Sequence, residues 1–254
     1  MAVEIKTKAG PGGRHYIHPV TGEVVPSVTT ILGVLDKPAL PGWAARTVAE
    51  YAADNVEAVT LLGRDERVAL LKGVPWRNRD KAADRGTEAH TYAERRLTFG
   101  IAPNPANRSE ELVDEVLAAL DPTPLVSEGT VFNSTVGYAG TFDGVWRVDG
   151  RIVMIDWKSG KGVYSEAGLQ LNAYARGEEV ITPSEVFSLP PVDEAWIIHV
   201  PNTGGWKVHP VALGPEEWLA FQAARMVWRW KHHRADYTMG QPVQGIPNRE
   251  RAVR

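Results

Sequence analysis

Asp143, Asp156 and Lys158 are the residues whose types and spacing point most directly to chemistry. Between the two acids lies Val148-Asp149-Gly150-Arg151, an Asp-Gly pair flanked by β-rich runs. That is the sequence mark of a two-residue hairpin with a type I′ turn. Such a turn sets the register: Val148 faces Arg151, Arg147 faces Ile152, Val145 faces Met154, and Asp143 therefore faces Asp156. Directly opposed residues hold their Cβ atoms roughly 4.5–5.5 Å apart. The period-2 alternation of a strand puts Lys158 on the face of Asp156. Facing carboxylates destabilise a sheet unless something neutralises them. A divalent cation does so: hard oxygen ligands suit Mg2+ or Mn2+, and Mg2+ commonly takes one or two carboxylates together with water and phosphate. Lys158 would then supply positive charge, or a proton-transfer group, beside a phosphate bound to that ion. A solvated surface hairpin with Lys158 as a plain salt-bridge partner is the alternative these three residues leave open.

Other elements must bring further groups to such a site. A helix is predicted over 80–97, with His90 and Glu94 four apart on one face and Gly86 one turn above His90. Glycine costs about 1 kcal/mol inside a helix relative to alanine, and its missing side chain lets a backbone or a phosphate approach closely. A neutral imidazole at His90 is a candidate third ligand. Glu128 sits in an extended stretch before the first aspartate, either as an acid acting through water or a second ion, or as a solvated strand-edge residue. A helix over 166–175 places Gln170 and Tyr174 on one face, one turn apart. After Lys158, Ser159-Gly160-Lys161-Gly162 reads as a flexible turn. It lacks the Gly-x-x-x-x-Gly-Lys-Ser/Thr spacing of a P-loop. Lys161 is either a phosphate contact or a solvated loop lysine.

In chain order, Arg85-Gly-Thr-Glu-Ala-His90, Glu128, Gly140-Thr-Phe-Asp143, Asp156-Trp-Lys158 and Gln170-Leu-Asn-Ala-Tyr174 resemble the motifs of the PD-(D/E)XK nuclease superfamily. The likeness covers residues 85–174 and is to the RecB-like branch, which includes phage exonucleases and CRISPR-associated adaptation nucleases. The resemblance implies an α/β fold: a mixed central β-sheet flanked by helices (a restriction-endonuclease-like core) with a helical N-terminal lobe. It implies a metal-dependent deoxyribonuclease, an exonuclease rather than an endonuclease, in DNA recombination, repair or phage DNA processing. By the same likeness His90, Asp143, Asp156 and Glu128 would hold Mg2+ or Mn2+, and Lys158 would act in catalysis. Gln170 and Tyr174 would position the nucleophile or the DNA backbone, and Arg85, Thr87, Ser159 and Lys161 would touch DNA. DNA ends are the implied partner, with a homo-oligomer or a recombination partner protein left open. Two other readings also stay open: a non-catalytic DNA-end-binding module of the same fold, and a metal-dependent phosphoesterase acting on RNA or nucleotides. The chain departs from several relatives in having no cysteine. An iron–sulfur cluster needs cysteine thiolates, so whatever depends on that cluster is not carried over.

The remaining sequence frames this region. A length of 254 residues with 43% hydrophobic and 23% charged residues suits one compact structural unit. It divides into an N-terminal hairpin and helical lobe (1–123) carrying the His90 helix, a nuclease core with a C-terminal helix (124–240), and a tail (241–254). A net charge of −3 does not advertise nucleic acid, although local basic patches can still follow phosphates. The absence of any long apolar run or signal-peptide pattern predicts a chain with no membrane partner, acting in the cytoplasm (the host's, if phage-encoded). Residues 1–26 read as a short hairpin in which His15 and His18 point to opposite faces and make a poor metal pair. Helices are predicted from Ser27 as N-cap, over 43–53, more weakly over 56–72 before Gly73-Val-Pro75, and over 110–120. Strands are predicted over 195–200 and 206–210. The final helix, 216–234, ends in Trp228-Arg-Trp-Lys-His-His-Arg234. There Trp228, Arg229 and Lys231 would stack on and neutralise single-stranded nucleic acid, or the cations would simply complement the helix dipole.

Overall fold

In the computed structural model of the chain, Asp149 and Gly150 both take positive φ, 48° and 80°, as a type I′ turn requires. The structure describes residues 3–100 and 104–240, apart from the side chains of 79–87 and 99. The turn delivers the expected register, with Val148 opposite Arg151, Arg147 opposite Ile152 and Val145 opposite Met154.

In chain order, β1 (Lys6–Gly10), β2 (Gly13–Ile17) and β3 (Val24–Pro26) form a small antiparallel sheet, one strand more than the predicted hairpin. Helix α1 (Val28–Leu32) follows, with the Ser27 side chain accepting from the Thr30 N–H as an N-cap. Helices α2 (Ala39–Asp54) and α3 (Val56–Leu61) lead into α4 (Arg64–Phe99). The predicted break at Gly73-Val-Pro75 does not occur: α4 runs for 36 residues with Pro75 inside it. Proline removes one hydrogen bond from a helix interior. The strong helix formers on either side, the burial of Val74 and the packing of α2 against α4 hold the helix across that gap. Gly100, with φ of 64°, ends it. Helix α5 (Arg108–Leu120) begins at Asn107, whose side chain accepts from the Glu110 N–H.

The strands that follow do not make the single central sheet expected from the sequence. β5 (Gly129–Asn133) and β6 (Tyr138–Phe142) belong to a four-stranded antiparallel sheet. β4 (Thr123–Val126), β7 (Gly144–Val148) and β8 (Arg151–Lys158) belong to a five-stranded mixed one. After helix α6 (Ser165–Tyr174), β9 (Glu179–Ile181) and β10 (Val186–Ser188) complete the first sheet, in the order β10-β9-β5-β6. β11 (Glu194–His199) pairs parallel with β8, and β12 (Lys207–Val211) pairs antiparallel with β11, giving β12-β11-β8-β7-β4. The return from β8 to a parallel β11 needs a long crossover, which α6 supplies. Pro124 sits on the edge strand β4, where a missing N–H is tolerated.

Alternation along β8 separates two cores. Met154, with Val145, Ala195 and Ile197, packs beneath α1, α6 and the last helix, α7 (Pro215–His233). Val153, Ile155 and Trp157 pack on the other face, with residues of α4 and α5. The five-stranded sheet is thus the middle layer of a helix–sheet–helix sandwich. Among the described residues no helix is long and apolar enough to cross a membrane.

Candidate active site

The sheet division falls on one residue. Phe142 makes the last pair of β6, with Gly129, and Gly144 the last pair of β7, with Ile155. Asp143 lies between them in a bend and belongs to neither ladder. The expected direct cross-strand pair of Asp143 with Asp156 is therefore not made by the sheet. Beyond Gly144 the β8 backbone has no strand opposite it on that side, and the Asp143 side chain takes that place. Its Oδ2 accepts from the Trp157 N–H at 2.7 Å. Its Oδ1 lies 3.2 Å from His90 Nδ1, so the long helix α4 meets the sheets at this point.

Asp156 follows the alternation onto the α6 face and is 3% exposed. Burial first, then the negative charge of Asp143, pushes its carboxyl up to about 6, while Lys158 and His90 act to hold it down. Lys158 makes an ion pair with Oδ2 of Asp156. That oxygen is buried and has no hydrogen-bond partner of regular geometry. Burial alone would lower the His90 pKa, but the hydrogen bond and charge of Asp143, with Asp156 behind it, offset this and leave it raised. Glu128 immediately precedes Gly129, so it stands at the same end of the sheet as Asp143. The residue is exposed, yet its carboxyl is screened enough that partial burial, then Glu94 and Asp143, push its pKa up. His90, Glu128, Asp143, Asp156 and Lys158 therefore share one locality, and Glu94, four residues on from His90 in α4, joins them.

Tyr174 and Gln170 are placed on α6 as expected, with Gln170 Nε2 donating to Tyr174 Oη at 2.9 Å. Burial, then the charge of Asp156, pushes the Tyr174 phenol far above its ordinary range. Its ring occupies space left by Gly140, where a methyl group would overlap the ring edge. One position on, the Thr141 hydroxyl bonds Tyr16 at 3.0 Å and Thr130 at 3.2 Å. Gly140→Ala should therefore displace Tyr174 and cost about 1–3 kcal/mol of stability. Chemical denaturation of the variant checks this, and unchanged stability would mean that the ring is not confined.

Ser159 and the exposed Lys161 follow β8 directly, and the side chains of both are without a partner among the described residues. The loop is pinned instead by His199, whose Nε2 donates to the Gly160 carbonyl at 2.7 Å. Nothing in the local sequence announced that contact. The side chains of Arg85 and Thr87 lie outside the described residues. The expected stacking role of Trp228 is corrected: it is 5% exposed and packs against His15, His232 and His233 in the core, so its indole cannot receive a base. Arg229 and Lys231 remain exposed on α7.

Among the described residues, no three histidine or acidic side chains already stand close enough to share one metal ion. The donor set still fits a hard divalent cation. It offers two carboxylates, one of them buried with Lys158 as its counter-ion, and an imidazole in contact with the other. In this state the Lys158 ammonium and the His90 ring occupy the carboxylate oxygens. No family model and no curated protein matches the chain, so the site stands on its own geometry.

Proposed function

We propose that this chain is a Mg2+- or Mn2+-dependent deoxyribonuclease built on a restriction-endonuclease-like core, working as an exonuclease on DNA ends. One observation carries the reading: two carboxylates, a lysine and a histidine, supplied by three separate segments of the sequence, meet where the chain passes from one sheet to the other. Burying like charges together costs stability, which makes a cation the natural complement of the site.

Asp143 and Asp156 would hold the ion, with His90 and Glu128 at its margin. When bound, a divalent ion lowers the pKa of a coordinated water and neutralises charge on the scissile phosphate. The Trp157 N–H and His90 fix the orientation of Asp143. Lys158, released from Asp156, would stabilise the charge that develops on phosphate oxygens. Gln170 and Tyr174 wall the site from the α6 side, and Ser159 and Lys161 offer polar contacts to the neighbouring backbone of the substrate. No iron–sulfur cluster enters this scheme, as no cysteine is present to hold one.

The test is a digestion with Mg2+ or Mn2+ of linear and circular DNA, single- and double-stranded, each linear form labelled at one end. Progressive shortening of linear DNA with circles left intact is the expected result. Binding of ends without cleavage would favour a non-catalytic module instead. Turnover confined to RNA or mononucleotides would favour a phosphoesterase.

A further inference from the structure

Helix α7 has two apolar sides. Phe221, Ala224 and Trp228 are buried in the core. On the opposite side Leu219, Ala223, Met226, Val227 and Trp230 are exposed, Leu219 by 62% and Met226 by 71%. At 100° per residue these five fall in one stripe along the helix. Scattered exposed apolar residues are ordinary, but a contiguous row marks a surface that something covers. Its two ends are charged: Glu216 lies in the first turn and Arg234 at the C-cap. They are 18 residues apart, five full turns, so both lie in line with the stripe. Among the described residues neither makes an ion pair.

We propose that this stripe is the docking surface for a second copy of the chain, packed with its α7 antiparallel about a two-fold axis. Three properties of the helix select that occupant. A two-fold interface needs one patch that complements itself. Laid antiparallel, Glu216 of each copy meets Arg234 of the other, Ala220 meets Trp230, and Ala223 meets Val227. The small residues stand opposite the large ones, which allows close helix packing at about 8–10 Å. A parallel arrangement would set Glu216 against Glu216 and Arg234 against Arg234, and would align rather than oppose the helix dipoles. A nucleic-acid partner would meet an apolar row with an acid, Glu216, at one end and a single cation, Arg234, in line with it at the other. This inference does not rest on the nuclease reading.

Sedimentation equilibrium of the full chain between about 1 and 100 µM tests it. The expected species at the upper end is a dimer of twice the 27.9 kDa chain mass. Met226→Glu should leave a monomer whose thermal melt matches that of the wild type at concentrations where the wild type is itself monomeric. Glu216→Arg should weaken the dimer about tenfold at low salt, and Glu216→Arg/Arg234→Glu should restore it. Because the chain has no cysteine, single cysteines report the orientation. In the antiparallel pair Met226 lies about 3 Å along the axis from its own copy, and Leu219 about 18 Å. Met226→Cys should therefore form a disulfide dimer on mild oxidation, and Leu219→Cys should not. A monomer at every concentration overturns the proposal, as does a dimer indifferent to Met226→Glu or to the charge reversals. Cross-linking through Leu219→Cys would overturn the antiparallel arrangement.

Discussion

Replacing Asp156 with asparagine should abolish metal-dependent cleavage of DNA and, at the same time, raise the melting temperature of the metal-free protein at pH 8. The first effect follows from losing one of the two carboxylates that would hold the ion. The second follows from burial, which, with Asp143, pushes the Asp156 carboxyl up from 3.8 to about 6. For an acid whose pKa is higher folded than unfolded, the sign is unfavourable at every pH above the unfolded value, here 3.8. Well below 3.8 the group is protonated in both states and costs nothing. As the pH rises towards 6 the unfolded chain ionises first, and above 6 the folded state bears the whole penalty. Two pKa units correspond to about 3 kcal/mol. The attraction of Lys158 is already included in that shift; burying the asparagine amide without full hydrogen bonding returns part of the gain, which leaves about 1–2 kcal/mol, or roughly 2–8 °C in a chain of this size. Calorimetry at pH 5 and pH 8 should show the gap widening at the higher pH. Mg2+ should raise the melting temperature of the wild type and leave the variant unmoved. A variant that melts below the wild type at both pH values and still cuts DNA would remove Asp156 from the site.

Lys158→Ala should lower turnover by about 10²–10³-fold, the usual cost of losing one positioned charge at a developing anion. Its effect on stability should run opposite to that of Asp156→Asn. The lysine is the ion-pair partner of a nearly inaccessible carboxylate, and stripping one partner from such a pair leaves the other uncompensated. The ammonium is itself partly exposed, so the loss at pH 8 should be about 1–3 kcal/mol. It should largely disappear at pH 5, where Asp156 is protonated, and in the double variant Asp156→Asn/Lys158→Ala. Lys158→Arg separates the two roles: it should keep the stability and recover little turnover, since a planar guanidinium does not replace a compact ammonium. Full activity in Lys158→Ala would reduce the residue to a structural counter-ion.

The hairpin was legible because Asp149-Gly150 is a local signal: both residues tolerate positive φ, and the turn then dictates every pair out to Val145 and Met154. The Ser27 cap and helices α5, α6 and α7 were legible for similar reasons. The sheet change at Asp143 was not, because a one-residue bend leaves the alternation of apolar residues intact on both sides. β9 and β10, three residues each, are too short to show a period. Pro75 misled because its cost is local, whereas the packing that offsets it comes from α2. The core position of Trp228 was readable from its spacing with Phe221 and Ala224, but its basic neighbours drew attention to charge instead. Contacts such as Tyr16 with Thr141, 125 positions apart, leave no trace in either segment alone.

Residue 143 is a seam, and the aim of its carboxylate depends on the angle at which two differently built sheets meet. That angle is governed by the interior, where Val131, Tyr138 and Phe142 settle against Leu171, Tyr174 and Phe221. Volume changes at these buried positions should therefore shift the proposed affinity for a divalent ion while leaving the candidate ligands in place. The dry interior thus acts as a tuning screw for charge chemistry at the rim.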